Sequence, residues 1–499
     1  MKPTRFTGLV PSTGRPRFTV HTALLLFVAL PFLAGCATNP VTGKKEISLV
    51  SSGQEEQMGR EGYQAVVAEY GLYDDPAVQK HVNDMGQKLA KNSHLPNLDW
   101  HFTVIDDASV NAFAMPGGYI YITRGILAHL NSDAQLAGVL GHEIGHVTAR
   151  HSAQQITKQQ LAGLGLGVAS ILSPTVGRYG QVAQQALGLL FLKYSRDHEN
   201  QADALGVEYS TKTGYDPREI PPTYGMLKRV GERAGQRLPG FLSTHPDPGD
   251  REVRTQQLAQ AAAQGKTGLT VNHDEFIQLT DHIVYGDDPR QGYFEGNAFY
   301  HPEMRFTMTM PAGWQYQNTK AAVLAGAPEQ RAIMQLSLAN AADLSPSAYV
   351  AKLTSAGNIT RSSGGSESVG GFPAWVGYVA TPGEAGSEQV LVAAFIRRSP
   401  DQMFQILGKT QRQDDADARA ILATARSIRA LDDPARLSPQ PARVKVIRTP
   451  GATTFASAVA SAGTPGIDAE EIAILNNRLT SDRLAAGELV KTVTPPRLR

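Results

Sequence analysis

His142-Glu143-Ile144-Gly145-His146 is the stretch of this 499-residue sequence whose residue types and spacing bear most directly on chemistry. On a helix, positions i and i+4 share one face, so both imidazoles can address one zinc ion. Glu143 then sits beside them, facing the water that completes the coordination. A catalytic zinc needs a third protein ligand and one open position. The best candidate is Glu199, in Ser195-Arg-Asp-His-Glu199-Asn-Gln-Ala202-Asp203. Glu199 and Asp203 again stand at i and i+4, so one carboxylate can bind metal while Asp203 supports a ligand histidine from behind. His198 adjoins Glu199 and is expected to point elsewhere. His151, five residues after His146, is expected to fall off the metal-facing stripe. Zinc lowers the pKa of a bound water toward ~7, and a glutamate at the Glu143 position is placed to take its proton.

These groups need rigid elements to hold them. Ser132 followed by Gln135 is a capping-box pattern, and Leu136, Val139, Leu140, Ile144 and Val147 follow at helical spacing. Residues 54–70 and 76–92 read as amphipathic helices. Residues 100–106 and 119–123 read as strands, with Pro116-Gly117-Gly118 turning before the second. Residues 161–192 are rich in Gly, Ala and Leu but are broken by Pro174, Gly177 and Gly180. Such a stretch is too interrupted to span a bilayer; it reads as a buried or lid-forming helical hairpin, or as a surface that dips into membrane.

The N-terminus reads as an address. Lys2, Arg5, Arg15 and Arg17 precede the apolar run of residues 23–34, and no acidic residue falls before Cys36. Leu33-Ala34-Gly35-Cys36 is similar to a bacterial lipobox, and Cys36 is the chain's one cysteine. A lipidated Cys36 would anchor the mature protein to a membrane. By resemblance to enterobacterial lipoproteins, Ala37 favours the outer membrane. A single cysteine allows no internal disulfide and no cysteine-ligated zinc cluster. The net charge of +1 includes four basic residues of the leader, so nothing favours nucleic acid as a partner.

Beyond about residue 306 the pattern changes to alternating strands, at 332–339, 374–380 and 389–397, flanked by helices near 347–356 and 414–429. This part resembles the α/β sandwich of photosystem extrinsic-subunit type, entered through Pro311-Ala-Gly313-Trp314. The final stretch resembles a LysM module. A strand at 444–448 leads to Gly451-Ala-Thr-Thr454-Phe455, then Ile472-Ala-Ile-Leu475-Asn476, then Leu484-Ala-Ala-Gly487-Glu-Leu489-Val. Its Thr464-Pro465-Gly466 break departs from that pattern.

Three blocks in order carry a further resemblance. They are Asn111-Ala-Phe113-Ala-Met-Pro116-Gly-Gly118, then Leu140-Gly-His142-Glu-Ile-Gly-His146-Val-Thr-Ala-Arg150-His151, then Ser195-Arg196-x-x-Glu199-x-x-Ala202-Asp203-x-x-Gly206. Together they resemble the HtpX, Oma and CAAX prenyl endopeptidase family of gluzincin zinc metallopeptidases, in its periplasmic lipoprotein branch. The resemblance covers about residues 54–260. No tetratricopeptide repeat accompanies it. It implies one zinc per subunit on His142, His146 and Glu199, with Glu143 catalytic. It also implies an edge strand at Asn111, Ala112, Phe113 and Ala114 that an extended substrate joins by β-augmentation.

His245 lies in Leu242-Ser-Thr-His245-Pro246-Asp-Pro248-x-x-Arg251, a stretch whose prolines deny it a regular helix. By resemblance it is a removable fourth zinc ligand, or else a stabiliser of the transition state.

The expected fold class is α+β and multidomain. The parts are a leader over 1–35, a tether over 36–53, and a mostly helical zincin domain with a small sheet over 54–265. A connecting segment over 266–300, an α/β sandwich over 301–432, a linker over 433–443 and the LysM-like βααβ module over 444–499 complete it. The expected activity is endopeptidase cleavage of misfolded or misassembled envelope polypeptides. The alternative is a chaperone-like or peptidoglycan-associated binding lipoprotein with secondary proteolysis.

Overall fold

The computed structural model describes residues 35–161, 188, 193–234, 241, 245, 248–383, 387–412, 415–463 and 466–498. Residues 1–34 of the expected leader, and the Gly/Ala/Leu-rich stretch of 162–192 apart from Gly188, lie outside the described residues. Among the described residues, no helix is long and apolar enough to cross a membrane.

The largest core forms around the helix Asp133–Thr148. Leu136, Leu140 and Ile144 share that core with Val78, Val82, Met85 and Leu89 of the helix Pro76–Lys91 and with residues of the strands His101–Ile105 and Tyr119–Thr123. Those strands pair in parallel, and Ala112–Met115 pairs antiparallel outside Tyr119–Thr123, making a three-stranded sheet with Ala112–Met115 at one edge. The chain is thus an α+β, multidomain protein.

Ser132 caps the helix as expected, its side chain accepting from Gln135 N–H. The reciprocal half of the box is displaced, since Gln135 Oε1 accepts instead from the backbone N–H of Asn131 at 2.8 Å. The complete capping box lies elsewhere, at Ser51 with Gln54, opening the helix Ser52–Tyr70.

The segment expected as a tether is a docked hairpin. Gly35–Thr38 pairs with Lys45–Ser48, and Asn39 at its turn is 2% exposed. Asn39 Nδ2 donates to Ala149 O at 3.1 Å, and Leu49 N–H donates to Thr157 Oγ1 at 3.0 Å. Turn-rich composition hid this, because the contacts are made with residues 110 and 108 positions away. Arg150 anchors the same end with φ at 58°. Its guanidinium donates to Glu55 Oε2 at 2.6 Å and to Val50 O at 3.0 Å.

Residues 315–410 contribute a seven-stranded antiparallel sheet. Strand residues alternate between its faces, so Ala394 and Ile396 meet Ile421 and Ala425 of the helix Ala416–Arg426, while Ala393 and Phe395 meet Tyr349 and Leu353 of the helix Pro346–Ser355.

At the C-terminus, Arg443–Arg448 pairs antiparallel with Leu489–Thr494, and the helices Phe455–Ser461 and Ala469–Leu475 lie between them in sequence. These elements are not a separate body. Val444, Ile474, Leu475 and Val493 belong to the same core as the Asp133–Thr148 helix. Lys491 is fully buried and donates through Nζ to Ala128 O at 2.6 Å and Leu130 O at 2.7 Å, just ahead of that helix. The expected connecting segment also packs: Asp133 N–H donates to Asn272 O at 3.4 Å, and His282 N–H donates to Val444 O at 2.9 Å.

Candidate metal centre

Two helices build the site because both carry glycine where they touch. A Cβ on Gly145 would stand 3.2 Å from Ala202 Cα, and one on Gly141 would stand 3.0 Å from Gly206 O. The helix Arg196–Lys212 can therefore lie against Asp133–Thr148, carrying Glu199 and Asp203 onto the histidine face.

The result is a cluster of His142, His146, Glu199 and His245 whose ligand atoms all lie within 4.8 Å of one another. His142 Nε2 is 3.0 Å from His146 Nε2 and 3.7 Å from Glu199 Oε2, and His146 Nε2 is 3.6 Å from Glu199 Oε1. His245 Nε2 is 3.9 Å from both Glu143 Oε1 and Glu199 Oε1. Asp203 stands behind, with Oδ1 3.0 Å from His142 Nδ1. Most of the loop around His245 lies outside the described residues; Phe241, which precedes it, stacks on its ring at 4.4 Å. Phe241 N–H donates to Val110 O at 3.4 Å, immediately before the strand Ala112–Met115.

Arg251, on the helix Pro248–Ala263, ties the acidic groups together. Its Nη2 is 2.6 Å from Asp203 Oδ1, its Nε donates to Asp203 Oδ2 at 3.0 Å, and its Nη1 is 2.8 Å from Glu199 Oε2. Tyr224 donates its hydroxyl to Asp203 Oδ1 at 2.7 Å. Tyr194 stacks on His146 at 4.0 Å.

The electrostatics describe a place for a cation. Burial pushes Glu143 up to about 8 and Glu199 well above the ordinary carboxylate range. Burial likewise drives His142, His146 and His245 down, keeping them neutral. Asp203 is the exception: burial alone would raise it, but Arg251 and His142 outweigh that and hold it low. Among the described residues, neither carboxylate oxygen of Glu143, though buried, has a hydrogen-bond partner. Neutral imidazoles and the buried carboxylate of Glu199 match the donors zinc takes, and Glu143 stands beside them.

Sequence reasoning gave Arg251 no role although it closes the His245 segment, missed Tyr224, and underrated His151. His198 and His151 are outside the four-residue cluster. Yet His151 Nδ1 lies 2.9 Å from His146 Nδ1. The helix ends at Thr148, Arg150 takes a left-handed turn, and a new helix starts at His151, so helical angles no longer predict where His151 points. No periodic signal marks Arg251; only its place six residues after His245 could have drawn notice.

Residues 76–259 match the profile of peptidase family M48. The chain carries an M48 peptidase domain. The mitochondrial metalloendopeptidase OMA1 of Arabidopsis thaliana is 35% identical over 220 residues, covering 44% of this chain and 42% of that protein. The β-barrel assembly-enhancing protease of Escherichia coli (strain K12) is 30% identical over 236 residues, covering 45% of this chain and 47% of that one. OMA1 of Schizosaccharomyces pombe is 28% identical over 233 residues, covering 46% and 68% respectively. The chain thus spans under half the length of the first two relatives. The M48 domain contains His142, Glu143, His146, Glu199, His245 and Arg251, and it excludes the seven-stranded sheet and the C-terminal elements. It is a metallopeptidase domain.

Proposed function

We propose that this protein is a zinc-dependent endopeptidase of the bacterial cell envelope that cleaves misfolded or misassembled envelope polypeptides. The observation that carries the reading is the convergence of His142, His146 and Glu199 with the buried carboxylate of Glu143 beside them. These three residues would hold the zinc, which supplies Lewis acidity and a water of lowered pKa. Glu143 takes the proton of the attacking water and delivers it to the leaving amine. Asp203 fixes the tautomer of His142, and Arg251 holds Asp203 and Glu199 in place.

The edge position of Ala112–Met115 supports its reading as the strand a substrate joins, with Asn111, Ala112, Phe113 and Ala114 offering main-chain groups. Such pairing asks little of the substrate's sequence, which suits quality control. The location of His245 within the cluster supports a latent state in which its imidazole is a fourth ligand and the loop swings away to admit substrate. The Phe241-to-Val110 contact agrees with this, since Phe241, stacked on His245, meets the chain two residues before the edge strand.

The lipobox at Cys36 supports a periplasmic protein anchored by lipid, to the outer membrane on the Ala37 criterion. The strand–helix–helix–strand order at the C-terminus supports a LysM-like module with peptidoglycan as its ligand. Retention of the protein on isolated peptidoglycan tests that module. Metal analysis of the purified protein paired with casein cleavage tests the enzyme. Comparing proteins trapped by Glu143→Gln cells with those from wild-type cells identifies the substrates. A purified protein that binds no zinc and leaves casein intact would overturn the enzymatic reading.

A further inference from the structure

His142 and His146 are backed differently, and the difference has a chemical meaning. Behind His142 stands a carboxylate, Asp203. Behind His146 stands another imidazole: His146 Nδ1 and His151 Nδ1 are 2.9 Å apart, and His151 Nε2 is 3.0 Å from Gln201 Oε1. Both rings are buried, with 1% of His146 and none of His151 exposed.

With Gln201 Oε1 turned toward His151 and both rings neutral, a single arrangement of protons satisfies this row. Gln201 Oε1 cannot donate, so His151 must carry its proton on Nε2 and donate to it. His151 Nδ1 is then a bare acceptor. His146 must carry its own proton on Nδ1 to fill that contact, which leaves the Nε2 lone pair free. That Nε2 is the atom facing His142 Nε2 and Glu199 Oε1.

We propose that Gln201 and His151 are positioning residues, an uncharged amide–imidazole relay that sets the tautomer of His146 and aims its Nε2 into the metal site. The proposal rests on the reading of that site as a zinc centre. The surroundings hold the relay in register. His198 stacks on His151 at 4.3 Å and 13°, and His198 Nε2 is itself 3.0 Å from Gln154 Oε1. Gln154 donates through Nε2 to Ala149 O at 2.9 Å and Glu46 Oε2 at 2.9 Å, tying the relay to the N-terminal hairpin. The turn at Arg150 makes the relay possible, because it folds His151 back onto the ring five residues before it.

The test is zinc affinity of the full chain, measured by chelator competition, with histidine ¹H–¹⁵N spectra to read tautomers. His151→Leu and Gln201→Leu should each weaken zinc binding about 10–100-fold, the usual cost of losing a partner behind a metal ligand. His151→Asn puts Oδ1 near the place of Nδ1, and Gln201→Glu keeps an acceptor, so both should stay close to wild type. A merely structural role would not be rescued in this pattern.

The spectra of the metal-free wild type should show His151 protonated on Nε2 and His146 on Nδ1. If His151→Leu does not fold, the Gln201 pair decides, since Gln201 is only half-buried. Unchanged zinc affinity in Gln201→Leu, or a His151 protonated on Nδ1, would overturn the relay. Wild-type protein that binds no zinc would instead sink the metal centre, while the metal-free spectra would still report on the relay.

Discussion

A Cβ on Gly206 would stand 3.1 Å from the backbone nitrogen of His142, so the helix carrying Glu199 touches the helix carrying the histidines main chain to main chain. That contact, with Gly141 and Gly145 on the other side, sets how near the carboxylates come to the imidazoles. We predict that Gly206→Leu forces the helices apart, destabilises the protein by about 1–3 kcal/mol as overpacking does, and lowers zinc affinity. Urea unfolding with and without zinc checks both effects. Wild-type stability and affinity in this variant would refute the role given to the glycine contact.

Glu143→Gln keeps the shape of the side chain but removes the base. Its zinc content should match wild type, while peptide cleavage falls by about 10²–10⁴-fold. His142, His146 or Glu199 changed to alanine should instead lower the zinc content itself. Zinc analysis beside a casein assay separates the two classes, and full activity in Glu143→Gln is incompatible with its assigned role.

The metal-free protein should carry a pH dependence traceable to Glu143. Burial raises its pKa from 4.5 to about 8. Between those values the folded state keeps a proton that the unfolded state releases, so this residue's contribution to stability falls as pH rises and levels off above about 8. The buried histidines act oppositely below about pH 6.5, because the unfolded chain binds the protons they refuse. The stability difference between Glu143→Gln and wild type, both with chelator, isolates the glutamate. It should grow in favour of the glutamine variant from pH 5 to 8. A flat difference would contradict the burial argument.

His245→Ala should retain zinc through the other three residues and cleave casein faster than wild type, because the enzyme no longer divides its population with a closed form. Slower cleavage with zinc intact would show that His245 assists the reaction, and stabilisation of the tetrahedral intermediate would replace the latch.

Cys36→Ser should leave the protein without lipid and released from the membrane fraction, with the M48 domain still folded and active. The hairpin that contains Cys36 is docked by Asn39 and Leu49 on residues of the M48 domain, so losing the anchor should not loosen the site. Fractionation and a casein assay on the soluble variant provide the check; membrane association at the wild-type level would exclude lipidation at Cys36.

Elements whose cause is local were legible before any folding was known. Apolar spacing after Ser132 specified the helix, and spacing of four residues specified that His142 and His146, and separately Glu199 and Asp203, share a face. A run of apolar residues specified strands such as Glu388–Arg397. The tertiary structure decided what depends on where distant chain meets. Arg251 reaches Asp203 across 48 positions, Lys491 reaches Ala128 across 363, and Asn39 reaches Ala149 across 110. No periodicity encodes such meetings, because each is a buried polar group finding the partner that the packed core leaves within reach. His151 shows the boundary most clearly. The helical rule held up to Thr148, and one left-handed residue at Arg150 then turned a side chain expected to face away back onto a ligand histidine.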